Sequence, residues 1–151
     1  MPLLAAAVAV AFAAGCGGGS SRMSKADYEQ KIQADGKAVQ KAVSKINGSA
    51  SLGSLATQIG SAEQAVKAAA DDLDSIKPPQ DAEADNKTIV LALRTIDTQL
   101  VRLHAAAKKS DIAGAQAAGA AIQNAPEVKA AQRAAKDLKQ KGYKIGVLGQ
   151  T

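Results

Sequence analysis

From Leu52 to Ile76 the apolar residues Leu52, Leu55, Ile59, Ala62, Val66, Ala69, Leu73 and Ile76 recur in alternating steps of three and four, without a gap. A strand needs period two, whereas a strict seven-residue repeat predicts a helix buried along one seam in left-handed, coiled-coil-type packing. The run stops at Pro78-Pro79, which cannot continue a helix and which push Lys77 toward extended backbone. Ile89, Leu93, Ile96, Leu100, Leu103 and Ala107 then repeat the same stepping. Two long helices joined by a short proline turn therefore form the centre of the expected fold.

The flanking segments carry helix punctuation. Ser24 and Asp27 make a capping-box-like start, and Tyr28, Ile32, Val39, Val43 and Ile46 predict a buried stripe on a first helix over residues 25–46. Asn47, Gly48 and Ser49 read as its turn. Asp81 is the expected N-cap of the third helix, with Glu83 and Asp85 placed where the helix dipole favours negative charge. Lys108 and Lys109 suit its C-terminus, and Ser110-Asp111 caps a fourth, Ala- and Gly-rich segment that Pro126 either kinks or splits. Gly142 fits a Schellman ending with Tyr143 folding back. Alanine supplies 35 of the 151 residues and aromatics are nearly absent, which favours helices over strands. The expected fold is thus all-α: an antiparallel bundle of about four helices over residues 24–142, followed by an extended tail over 143–151.

Ahead of the bundle lies an apolar stretch, Leu3 to Ala14, of secretory-signal length and too short for a permanent span of a ~30 Å hydrocarbon core. Ala14, Gly15 and Cys16 match three of the four positions of the bacterial lipobox, which they resemble; Ala13 stands where a leucine is commoner, and no Lys or Arg precedes the apolar run. This predicts a signal peptide over 1–15, lipid (palmitate-type acyl chains) on Cys16, the only cysteine, and a Gly/Ser tether running to residue 23. The chain is then held on the extracytoplasmic face of the cell membrane. Cleavage at Ala11-Phe12-Ala13, leaving a free thiol, is the competing route.

Leu73-Asp74-Ser75-Ile76-Lys77-Pro78-Pro79, the acidic helix start after it and Ala105-Ala106-Ala107-Lys108-Lys109-Ser110-Asp111 give the chain a layout similar to small secreted lipoproteins of actinobacteria. Those proteins combine a lipobox, a Gly/Ser tether and a helical bundle with a central Leu-x-x-Ile/Leu-x-Pro-Pro turn. The resemblance covers Cys16 to about Gly142. It implies fold and location, and it carries over no catalytic residue.

The remaining polar residues offer little chemistry. His104 is the only histidine and reads as a partly exposed flank residue, since a metal site would need further ligands. Asp71, Asp72 and Asp74 precede the proline turn and Asp81, Glu83 and Asp85 follow it. The two runs could attract a divalent cation, but they fail as an EF-hand at Asn86 and Ala92 and fit solvated helix ends better. The net charge of +5 shows its excess over residues 111–151, where Lys129, Arg133, Lys136, Lys139, Lys141 and Lys144 form a basic stretch. Without stacking aromatics or a recognition motif this stretch does not point to nucleic acid. The expected function is a non-enzymatic, membrane-anchored binding or scaffolding module with no cofactor, no metal and no catalytic residue; its partners are the membrane, through Cys16, and an envelope protein or acidic wall polymer. The alternative is a small helical domain binding a ligand or cation near His104 and the acidic turn.

Overall fold

The computed structural model describes residues 21–46 and 52–149. The leader, Cys16, the Gly17–Ser20 run and the expected Asn47-Gly48-Ser49 turn lie outside the described residues, as do the last two positions.

Among the described residues there are five α-helices and no strand: α1 (Lys25–Ile46), α2 (Leu52–Ser75), α3 (Glu83–Lys108), α4 (Ile112–Asn124) and α5 (Pro126–Gln140). Helix α1 opens with half of a capping box: the Asp27 amide donates to Ser24 Oγ at 3.1 Å, and that hydroxyl, in place of the Ser24 amide, donates to Asp27 Oδ2 at 2.6 Å. The Pro78-Pro79 turn leads into a single 3-10 turn, Gln80–Ala82, before α3 begins. Asp81 therefore does not cap α3. Ala82 holds the cap position without a side-chain bond, and the Asp81 carboxylate accepts instead from Tyr143 Oη at 2.6 Å.

At Ala125 the backbone leaves helical geometry (φ −59°, ψ 125°), and Pro126 starts α5 at N1, where its missing N–H leaves no bond unmade. Gly114 sits against Ala106, and further along Val128 and Ala135 share a cleft with Ile96 and Ile89. Helices α4 and α5 thus descend α3 in succession as one fourth helix broken by proline. Helix α3 packs against α2, α4 and α5, while α1 packs along α2 and against a 3-10 turn, Gly146–Gly149, near the C-terminus.

The core follows the two seams: Ile59, Ala62, Val66, Ala69 and Leu73 of α2 are buried against Ile89, Leu93, Leu100 and Ala107 of α3. In α1 the expected stripe holds only in part. Tyr28 and Ile32 are 0% exposed, but Val43 is 41% exposed, because neither α4 nor α5 forms a packed pair with α1 to cover it. Beyond Gly142 the chain does not lie as an extended tail on the surface. Tyr143 and Ile145 enter the core, and left-handed Gly146 (φ 58°) turns the backbone into the 3-10 segment.

Candidate functional site

The two ends of the bundle differ in chemistry. At the end where residues 21–24 enter, polar groups from several elements are tied together. The Met23 amide donates to Lys77 O at 2.7 Å and Arg22 to Pro78 O at 3.1 Å, and Arg22 also pairs with Glu83 at 2.7 Å. This pins the start of the domain onto the proline turn. Asn86, one seam step before Ile89, is buried; it accepts from Tyr28 Oη at 3.2 Å and donates to Leu73 O at 2.9 Å, linking α1, α2 and α3.

The Tyr28 and Tyr143 rings meet edge to face with centroids 5.8 Å apart, and Lys25 Nζ lies 4.5 Å over the Tyr143 ring, a favourable cation–π position. Burial, then the Asp85 charge, pushes the Tyr28 phenol well above its ordinary range, and burial with the Asp81 bond pushes Tyr143 up to about 12. Neither phenol ionises at neutral pH. Lys141 gathers the remaining carboxylates, bonding Asp85 and Asp137 at 2.7 Å each and Asp81 O at 2.8 Å, so its ammonium is held above the usual lysine range.

These contacts revise the acidic-run expectation. Asp85 is buried in an ion pair instead of solvated at a helix end, and Glu83 is held below the ordinary carboxylate range by Lys87 and Arg22. On the other side of the turn Asp72 pairs with Lys31, Asp71 with Lys67, and Asp74 with Arg94 at 2.7 Å. Among the described residues no group of three or more His, Cys, Asp or Glu side chains is placed to hold a metal.

Further along the α2–α3 edge, His104 Nδ1 lies 3.1 Å from Glu63 Oε2, and a Cβ on Gly60 would come within 3.0 Å of the imidazole. His104 is half-buried and packed against a bare backbone, with one carboxylate partner. Asp97 neighbours Glu63; burial, then the Glu63 charge, raises its carboxyl, and its Oδ1 is buried without a partner.

The far end is the reverse of the entry end. Of 19 basic and 14 acidic residues, six and two fall within residues 36–46, 52–63 and 99–124, which leaves 13 and 12 elsewhere. Most of the net charge thus belongs to the far end, carried by Lys37, Lys41, Lys45, Arg102, Lys108 and Lys109, all exposed. Of its two carboxylates, Glu63 faces His104 at 3.1 Å, and Asp111 caps α4 by accepting from the Gly114 amide at 2.9 Å, as the sequence led us to expect. Lys129, Arg133 and Lys136 are exposed on α5. The sequence did not betray the Asn86 and Lys141 bonds. For Asn86 one signal existed: it continues the α3 seam by one step, where a polar residue must find partners.

Two clefts accompany this surface. One, of about 390 Å³, lies between α3 and α4 and is lined by Gln99, Arg102, Ala105, Lys109, Ala117 and Ala121, among others. The other, of about 270 Å³, lies between α3 and α5 and is lined by Leu93, Ile96, Val128, Ala131, Gln132 and Val147, among others. Among the described residues no helix is long and apolar enough to cross a membrane. Comparison with protein-family models, curated proteins and solved structures gave no match to this chain.

Proposed function

We propose that this chain is a lipoprotein held on the extracytoplasmic face of the cell membrane through Cys16, and that its helical bundle binds or spaces another envelope component without catalysing a reaction. The observation that carries this reading is the separation of charge from attachment. Residues 21–24 fasten the domain by an end whose charges nearly balance, and the excess positive charge lies at the opposite end. An anchored domain of this polarity turns its basic surface away from its own lipid head groups and toward acidic proteins or wall polymers, within a Debye length of ~10 Å. Fatty-acid labelling and membrane fractionation of wild type and Cys16→Ser, followed by pull-down from the envelope, test it. Wild type takes the label, sediments with membranes and captures a specific acidic component; Cys16→Ser loses label and membrane association. Unchanged membrane association of the variant defeats the anchor, and capture of background alone defeats the binding role.

The cleft between α3 and α5 favours a second reading, a carrier of a small apolar molecule, because its lining is aliphatic apart from Gln132. It lies away from His104 and the acidic turn. An apolar naphthylamine dye that gains no fluorescence on mixing with the protein, or gains it equally with Ala131→Phe, removes this reading.

A further inference from the structure

Helix α4 is unusual in this molecule because residues 112–124 contain no charge, yet only Ala118 among them is buried. Ile112 is 71% exposed, Ala113, Gln116, Ala117 and Ala120 face solvent, and a Cβ at Gly119 would meet nothing within 4 Å. An uncharged helix normally has cover on more than one side. Here α3 covers one side and α5 touches only its end.

What would cover the rest is indicated by charge. Arg102 and Lys109 line the α3–α4 cleft, with Lys108 beside them, and no carboxylate among the described residues pairs with any of the three. Gln99 lines the same cleft, and its Oε1 is buried with no hydrogen-bond partner. The one acid there, Asp111, is occupied by the Gly114 amide. Arg102 and Lys109 stand two helical turns apart, ~10.5 Å along α3 at 1.5 Å per residue. A second copy of this chain would bring the same cations together and be repelled. A lipid surface fits poorly because alanine buries little apolar area, whereas small side chains let another helix backbone approach closely.

We infer that the α3–α4 cleft receives an amphipathic helix of a partner protein, its apolar face on Ala105, Ala117 and Ala121 and two carboxylates seven residues apart on Arg102 and Lys109. This rests on the binding-module reading above, but not on the lipid at Cys16.

The test uses the full chain in detergent micelles and a labelled, Ala-rich helical peptide carrying two Glu seven residues apart, beside a twin with Lys at those positions. By fluorescence anisotropy the Glu peptide binds and the Lys twin does not, and binding weakens as salt rises from about 0.05 to 0.5 M. Arg102→Glu with Lys109→Glu lowers affinity for the Glu peptide about tenfold and confers binding of the Lys twin. Ala117→Trp, at an exposed position, abolishes binding while the circular-dichroism melt stays unchanged. Absence of Glu-peptide binding, or binding unaffected by Ala117→Trp, overturns the inference. So does a dimer in sedimentation, or adhesion to phosphatidylglycerol vesicles, that Ala117→Trp disrupts, because the cleft would then serve a second copy or a membrane. If wild type and Ala117→Trp capture the same envelope protein, the module reading stands and the cleft is overturned. If the Glu peptide binds but the envelope yields no partner, the cleft stands and the envelope role falls.

Discussion

Helix α1 carries one apolar stripe with two fates. At the entry end Tyr28 and Ile32 lie sealed beneath α2, α3 and the returning C-terminal segment; three turns on, Val43 of the same stripe is open to water. The sealed part has a polar frame of Asn86, Asp81, Asp85 and Lys141 that bonds its two buried phenols and the Asp85 carboxylate, and the open part has, among the described elements, only α2 packed beside it. Closure of a helical bundle is therefore a local property. It depends on whether a fourth element reaches a given level, not on the seam of the helix alone.

The sharpest way to break this contrast is to truncate the stripe at each end. Tyr28→Ala removes a fully buried ring and strands Asn86, so it should lower unfolding free energy by about 3–5 kcal/mol. Val43→Ala should change it by less than about 1 kcal/mol. Equal losses in urea denaturation would mean that the far end is closed in solution.

The two Schellman endings sharpen the same contrast. At the entry end the Tyr143 amide bonds Leu138 O at 2.9 Å across left-handed Gly142 (φ 78°); at the far end the Asp111 amide bonds Ala106 O at 2.9 Å across Ser110, which takes φ 55° without glycine's freedom. Gly142→Ala should cost about 1–2 kcal/mol, whereas Ser110→Gly should gain up to about 1 kcal/mol, both read from thermal melts. Within α4, Gly119→Ala should stabilise by about 0.5–1 kcal/mol, because the added methyl meets nothing. At Gly114 the same change would press a methyl into Asp111 Oδ2, expel the cap and cancel the gain.

The smallest expected effect concerns Asp97, whose carboxyl is raised and incompletely bonded, in contrast to Asp85 with its Lys141 partner. A raised folded pKa means that the native state keeps a proton the unfolded chain has already released. Stability therefore falls as pH rises from about 4 through the raised value, and the penalty persists above it. Asp97→Asn should raise the melting temperature at neutral pH, with the advantage vanishing toward pH 4; a pH-independent gain would place its cause elsewhere.

Much of the architecture was legible because it is written in local periodicity. The α2 and α3 seams, the Ser24 and Asp111 caps, the break at Pro126 and the Gly142 ending all depend on residues within a turn or two of one another. Asp81 misled for the same reason. Its sequence context is that of an N-cap, but a phenol 62 residues away takes its carboxylate. Of the candidate surface, the basic residues were visible, though their gathering at one end was not, since Lys45 and Lys109 reach the same end only when antiparallel packing folds α1, α2 and α3 back on one another.

What the residues settled unaided was the inventory of helices, their ends and their buried stripes, because hydrogen bonding within a helix and side-chain spacing are short-range. Three things were left to the packing: which parts of those stripes are covered, the network joining Tyr28, Asn86, Asp81 and Lys141, and the electrical polarity of the bundle. Each depends on the positions of groups far apart along the chain, and those positions exist only once the helices have found their neighbours.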